Sequence, residues 1–104
     1  MKNEERNKEG YLLHWEDWNE AMGEEIAKEE NLFLTEEHWM VIRELRDFYS
    51  KYQHTPVMRI FIKHMKTVFP EEKANSVYMY TLFPNGPIKQ GCKIAGLPKP
   101  PHCI

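Results

Sequence analysis

The chain has 104 residues, of which 41% are hydrophobic and 12% aromatic, so it can form one small domain with a single core. A charged fraction of 29% with only five glycines favours helices over a β-sandwich, and no apolar run approaches the ~18 residues of a membrane span. The first ten residues, MKNEERNKEG, are too charged for a signal peptide, so we expect a cytoplasmic protein.

The formal net charge of −2 combines two halves of opposite sign. Residues 1–50 contain 6 Lys/Arg against 14 Asp/Glu, a balance of −8, whereas residues 51–104 contain 8 against 2, a balance of +6. The acidic half predicts a solvated surface that aids solubility. Positive charge in the basic half would favour a thiolate over a thiol and would attract anions or an acidic partner.

Apolar periodicity and chain breaks predict a mainly α protein, a small bundle of about five helices. Residues 1–9 lack periodicity and are expected to be disordered, and GYLLHW after them is a short strand or a lead-in. The domain is expected to cover residues 10–96. Helices are predicted over residues 15–29, 35–52, 56–69, 71–82 and 87–95.

Three boundary residues and two buried faces follow from the same patterns. Thr35 is predicted as an N-cap, Pro56 as a first-turn residue and Gly96 as a C-cap. The fourth helix is predicted to bury Val77, Tyr78, Tyr80 and Leu82, and the last helix to carry Ile88, Cys92 and Ala95 on one face.

The chain ends in LPKPPHCI, whose three prolines exclude a helix or an inner strand. Residues 97–104 are therefore predicted to form an extended, flexible arm that carries Cys103. The only other cysteine, Cys92, lies eleven positions earlier, and closing so short a loop costs about 3 kcal/mol of chain entropy. The pair is either a conditional disulfide couple or an inert packed thiol with an incidental tail thiol.

Other chemistry is not indicated by the residue patterns. Among the five histidines only His102 adjoins a cysteine, and no second pair has zinc-ligand spacing, so we predict no metal site. No Gly-rich phosphate loop, carboxylate pair or serine triad stands out. We therefore predict a protein that is not a stand-alone enzyme and that holds no bound cofactor.

The second and third helices, joined by QHTP, resemble a helix-turn-helix whose second member carries Arg59, Lys63 and Lys66. One interpretation is a regulator that contacts nucleic-acid phosphates, and the other is a plain helical hairpin within a bundle. The pI of about 6.2 is lower than that typical of nucleic-acid binders, so direct nucleic-acid binding is not expected.

Four features together resemble the DsrC/TusE family of sulfur-relay proteins, which includes the gamma subunit of dissimilatory sulfite reductase. They are LTEEHWMVIRELRDFY, TPVMRIFIKHMK, YMYTLFPNGPIKQGCKIAGLPKP and the penultimate cysteine. The resemblance implies a helical bundle entered through a β-hairpin, with a mobile C-terminal arm. It also implies that Cys103 carries sulfur as a persulfide.

Within this family, the resemblance separates two branches by the earlier cysteine. In the DsrC branch, which Cys92 matches, the arm enters sulfite reductase, and a trisulfide between both cysteines is then reduced by a membrane complex. In the TusE branch that cysteine is usually absent, and the persulfide passes through a sulfur-transfer complex to a tRNA 2-thiouridylase. Gly91, beside Cys92, stands where the family commonly has alanine.

We therefore expect a sulfur carrier of the DsrC type that acts as a partner and co-substrate of sulfite reductase in sulfur metabolism. Cys103 is the persulfide-bearing nucleophile and Cys92 the resolving thiol. A TusE-type relay to tRNA thiolation and a sulfur-responsive DNA-binding regulator are the alternatives. Lys89, Lys93 and Lys99 are expected to surround the arm and guide it into an anionic-substrate site. Together with Arg59 and Lys63 they form the set expected to bind an anion or a partner.

Overall fold

Five α-helices make up the bundle in the computed structural model, which describes residues 5–101, and the predicted mainly α class is confirmed. A 3₁₀ turn, Trp15–Asp17, precedes them. No helix among the described residues is long and apolar enough to cross a membrane. The helices are α1 (Glu20–Glu29), α2 (Glu36–Tyr52), α3 (Met58–Met65), α4 (Ser76–Leu82) and α5 (Pro87–Ile94).

Before the helices, residues 5–13 form a tight turn closed by one antiparallel bridge between Arg6 and Leu12. Asn7 holds the turn, since its side chain accepts hydrogen bonds from the backbone of Glu9 and Tyr11. The expected short β element is thus limited to a single bridge. Residues 1–4 of the predicted disordered segment lie outside the described residues.

The first predicted helix starts five residues too early, because Trp18 and Asn19 interrupt it. Both have extended backbone angles, and the Asn19 side chain accepts from the Met22 N–H at 3.0 Å as the N-cap of α1. The Trp18 indole N–H instead donates to the Ile94 carbonyl at 2.9 Å. The Asn19 cap therefore starts α1, and the contact with α5 holds Trp18 outside the helix.

The predicted helix-turn-helix-like pair is α2 and α3. Thr35 is the N-cap of α2 as predicted, and α2 ends at Tyr52 because Gln53 adopts a left-handed conformation with φ of 58°. The prediction that Pro56 lies in the first turn of α3 is wrong, since Val57 is extended and α3 begins at Met58. The helix ends at Met65 and not at residue 69.

The fourth helix also starts later than predicted, at Ser76 and not at residue 71. Asn75 is extended, and its side chain accepts from the Tyr78 N–H at 2.8 Å, so it caps the helix there. The predicted buried face is wrong for Val77, which is 75% exposed, and for Tyr80. Leu82 faces the core as predicted, and Met79, three positions before it, is buried as well.

The last helix, α5, lies at the centre of the bundle and packs against α1, α2 and α4. Its start at Pro87 is confirmed, and Gly96 follows its end with φ of 76°, a conformation that glycine tolerates. The fully buried large side chains around it are Phe61, Phe83, Ile26, Ile42, Leu45, Met65, Met79, Ile94, Leu97 and Val41.

Candidate functional site

Cys92 lies on the buried side of α5. Its side chain is 0% exposed, and the neighbours on its face, Ile88 and Ala95, are buried as predicted. Burial raises the pKa of the Cys92 thiol above the usual range, because the apolar core disfavours a thiolate. In this conformation Cys92 is a protonated thiol shielded from solvent.

Cys103 lies outside the described residues, but the root of its tail is described as far as Pro101. The Leu97 N–H donates to the Cys92 carbonyl at 2.9 Å, and the Leu97 side chain is fully buried. Pro100 is buried as well, and Lys99 donates to Glu9 at 2.9 Å. The chain from Leu97 to Pro100 therefore packs on the body, and Pro101 after it is exposed.

Arg46 secures this tail root, a role that the sequence did not indicate. Its guanidinium donates to the Ala95 carbonyl at 2.8 Å and to the Trp15 carbonyl at 3.1 Å. The same group lies over the Trp15 and Trp18 rings, at 4.9 and 4.4 Å from their centroids. Its neighbour in the chain, Leu45, is fully buried, whereas Arg46 is half-buried.

Two of the three lysines expected to guide the arm are paired with carboxylates. Lys93 donates to Glu30 at 2.8 Å, and Lys99 donates to Glu9. Partial burial raises the pKa of Glu30, but hydrogen bonds from Lys93 and Gln90 outweigh this and leave the pKa below its usual value. These pairs reduce the positive charge that the sequence suggested for this surface.

The Lys93–Glu30 pair borders a polar cavity of about 560 Å³ on the outer side of α5. Lys89 is exposed at its edge, and Lys93 lines it together with acidic residues. Lys89 and Lys93 are thus brought together, one helical turn apart, on the face of α5 opposite the core. The lining residues are Glu9, Tyr11, Glu30, Asn85, Lys89, Gln90 and Lys93.

The other predicted basic residues, Arg59 and Lys63, are exposed on α3. They line a shallow depression between α3 and the start of α4, together with Lys66. Across the described ranges, none of these three cations forms an ion pair. This part of the predicted partner-binding set therefore keeps its positive charge.

A narrow apolar groove of about 300 Å³ runs between the tail root and the α2–α3 turn. Pro100 and Pro101 form one wall, and residues of the turn and of α3 form the other. The Thr55 hydroxyl oxygen is buried and has no hydrogen-bond partner among residues 5–101. The remaining lining residues are Phe48, His54, Pro56, Val57 and Ile60.

The structure brings three metal-ligand types together where the sequence predicted no metal site. Donor atoms of Glu44, Asp47 and His64 lie within 4.8 Å of one another. His64 is already bound to Glu44 at 2.6 Å, and Lys51 lies 3.6 Å from Asp47. The contacts present are those of an ion-pair network between α2 and α3.

Comparison with known proteins supports the resemblance seen in the sequence. A family model described as DsrC like protein matches residues 1–104. The sulfurtransferase TusE of Sodalis glossinidius is 50% identical over 96 residues, which cover 92% of this chain and 89% of that protein. The two proteins are therefore similar in sequence over nearly the full length of each.

Two solved structures are similar in both fold and sequence. The NMR structure of Allochromatium vinosum DsrC matches with a TM-score of 0.90 at 46% identity, covering 99% of this chain and 92% of that one. The oxidized gamma-subunit of the dissimilatory sulfite reductase (DsrC) from Archaeoglobus fulgidus matches with a TM-score of 0.86 at 42% identity, covering 99% and 94%. The chain therefore belongs to the DsrC-like family of sulfur-relay proteins.

Proposed function

We propose that this protein is a DsrC-type sulfur carrier in which Cys103 bears the sulfur as a persulfide and Cys92 is the resolving thiol. The observation that carries the proposal is the position of Cys92 on the helix from which the tail emerges. Its shielded, protonated state suits a thiol that reacts only after Cys103 has been loaded.

The chemistry begins when the Cys103 thiolate attacks the terminal sulfur of a persulfide or polysulfide donor. A new S–S bond forms on Cys103, and the donor leaves as a thiolate. Cys92 then loses its proton and attacks the Cys103 Sγ, so that a Cys92–Cys103 disulfide forms and hydrosulfide leaves. Reduction of this disulfide requires two electrons from a thiol-reducing partner.

A trisulfide is the alternative product when the sulfur comes from sulfite reduction. In that case the two thiols together give two electrons to an oxygen-bearing sulfur atom at the +II oxidation level, two S–S bonds form to that sulfur, and the two thiol protons leave with its oxygen as water. The sulfur is retained between Cys92 and Cys103 until a reductant releases it. Sulfite reductase catalytic subunits and a membrane thiol-reducing complex are the partners that this route requires, and we place the protein in the cytoplasm.

The resolving step requires the tail root to open. Leu97 is fully buried and its N–H is bonded to the Cys92 carbonyl, so the tail root covers the helix end beside the thiol. Once Leu97 leaves, closing a loop of this size costs about 3 kcal/mol of chain entropy, which one S–S bond readily offsets. The resting conformation therefore protects Cys92 from unselective reaction.

The TusE role is the second candidate, and the 50% identity to a sulfurtransferase TusE favours it. In this role Cys103 passes its persulfide through a sulfur-transfer complex to a tRNA 2-thiouridylase, and Cys92 is dispensable. Cys92→Ser separates the candidates. Loss of sulfide production with sulfite reductase supports the DsrC role, whereas unchanged tRNA 2-thiouridine in cells supports the TusE role.

The proposal is tested by intact-mass spectrometry after incubation with a persulfide donor. Cys92→Ser should gain the mass of one or more sulfur atoms, whereas Cys103→Ser should gain none. Wild type should end as the Cys92–Cys103 disulfide, with the mass of two hydrogen atoms lost. Cys92→Ser and Cys103→Ser are matched, because each lacks one thiol. Equal loading of Cys103→Ser and Cys92→Ser would show that the carrier assignment is wrong.

A further inference from the structure

Exposed apolar side chains lie at the α2–α3 turn, beside the root of the tail. Tyr52, Val57 and Ile60 are 57%, 41% and 39% exposed. Val57 and Ile60 border the groove at Pro100 and Pro101, and a second depression that contains Tyr52 shares Ile60 and Phe48 with it. The three side chains thus belong to one apolar surface, of the kind that soluble proteins keep for binding.

The groove is also lined by a residue whose polar group is unpaired. Thr55 borders the groove, and its buried hydroxyl oxygen has no hydrogen-bond partner within residues 5–101. A buried hydroxyl left unpaired costs free energy, so a change of conformation on binding that pairs it would be favourable. This observation is independent of the exposed apolar area.

The same surface carries positive charge that nothing in the described chain neutralises. Arg59 and Lys63 flank Ile60 on α3, and neither forms an ion pair with any residue of the described range 5–101. Elsewhere most partly buried cations, such as Lys93 and Lys99, are paired. Unpaired cations around an apolar centre match a partner surface with acidic residues around an apolar projection.

We propose that the α3 docking face, defined as Val57, Arg59, Ile60 and Lys63 with the adjoining groove, binds the protein that exchanges sulfur with Cys103. This inference rests on the proposed sulfur-carrier function. The partner surface is acidic with an apolar side chain at its centre.

The position of the tail explains why docking at this face would serve the transfer. Pro101 forms part of the groove wall, and the two residues that follow it reach at most about 7 Å to Cys103. A protein that fills the groove therefore lies within about this distance of the thiol. Nucleic acid fits the face less well, because phosphates match the cations but not the apolar groove between them.

The test compares Ile60→Asp and Lys63→Glu with two matched controls. Phe33→Asp places the same charge on an exposed apolar side chain beyond the opposite end of α2, a helix about 25 Å long. Lys28→Glu reverses an exposed charge on α1. Binding is measured to two purified probes from the same organism, the sulfite reductase catalytic subunits and the sulfur-transfer complex of tRNA thiolation, each at several salt concentrations.

We expect wild type to bind one probe, and Ile60→Asp to weaken that binding at least about tenfold. Lys63→Glu should reduce the association rate and flatten its salt dependence, and both controls should bind as wild type. Loading of Cys103 from inorganic polysulfide should be the same in all variants, so a failure of loading identifies a failure of the carrier function alone.

Three results would overturn the docking proposal while leaving loading intact. The first is equal binding by Ile60→Asp, Lys63→Glu and wild type, and the second is no binding of wild type to either probe. The third is loss of DNA-duplex binding in Lys63→Glu with protein binding unchanged, which would make α3 a nucleic-acid face.

Discussion

Replacing His38 with alanine should destabilise the fold by about 3 kcal/mol, because this ring joins the start of α2 to the end of α4. The ring is only 6% exposed. Its Nδ1 lies 3.0 Å from the Thr35 backbone nitrogen, which must donate, so Nδ1 accepts. The proton is then on Nε2, which donates to the Leu82 carbonyl at 2.6 Å.

The magnitude comes from three losses in the alanine variant. The buried Leu82 carbonyl is left without its bond, at about 1–3 kcal/mol, and the Thr35 cap loses about 1 kcal/mol. The edge-to-face contact with Phe83, at 5.1 Å between ring centroids, contributes about 0.5–1.5 kcal/mol. A total of about 3 kcal/mol would lower the melting temperature by roughly 12–24 °C in a domain of this size.

The same ring makes stability depend on pH. Burial lowers the pKa of His38, and the bond to Leu82 and the charge of Glu37 oppose this only in part. The unfolded state therefore takes up a proton at about pH 6.5, where the folded state does not. Between the lowered pKa of His38 in the folded state and its ordinary pKa in the unfolded state, the unfolded state binds more protons. The free energy of unfolding therefore falls as the pH decreases below about 6.5, by at most about 1.4 kcal/mol per pH unit.

Urea unfolding followed by circular dichroism measures both effects, at pH values about one unit above and below 6.5. His38→Ala should show the loss at the higher pH and should lose the His38 part of the pH dependence. His14→Ala, an exposed imidazole, is the control and should stay within about 0.5 kcal/mol of wild type. A His38→Ala protein with wild-type stability and pH dependence would refute the reasoning.

Three further predictions concern the tail root. Gly96→Ala should cost at least about 2 kcal/mol of unfolding free energy in urea, because its φ is positive and the new Cβ would lie 2.3 Å from Trp18 Cδ1; a neutral result would contradict this geometry. Arg46→Lys should cost about 1–2 kcal/mol in the same assay, since lysine cannot donate to both carbonyls and stack on both indoles; unchanged stability would disprove it. In Cys103→Ser, Cys92 should react with iodoacetamide only as fast as the fold opens, and reaction at the rate of the urea-unfolded protein would show that Cys92 is not shielded.

Local signals in the sequence predict some helix boundaries correctly. Thr35 before α2, Pro87 at the start of α5 and Gly96 after its end act through their own backbone or capping chemistry, and the structure confirms all three. The predicted starts of α1 and α4 are wrong although Asn19 and Asn75 are good capping residues. Apolar residues before Asn19 extend the predicted first helix back to residue 15, and the fourth helix is predicted to begin directly after Pro70.

The surroundings of the candidate site depended on contacts between distant residues. The pairs Lys93–Glu30 and Lys99–Glu9 join residues 63 and 90 positions apart. The positive charge that remains on α5 and on the tail root therefore could not be deduced from a count of lysines. Arg46 was equally hidden, because its carbonyl and indole partners come from two other parts of the chain. In contrast, burial of Cys92 followed from the face that it shares with Ile88.

The central claim, that Cys103 carries sulfur and Cys92 resolves it, is tested most directly by a single-turnover measurement on persulfidated protein. After removal of the donor, wild type should release one hydrosulfide per loaded Cys103, and its mass should become that of the Cys92–Cys103 disulfide. Cys92→Ser should keep its persulfide and release none. Equal hydrosulfide release from Cys92→Ser and wild type would contradict the account.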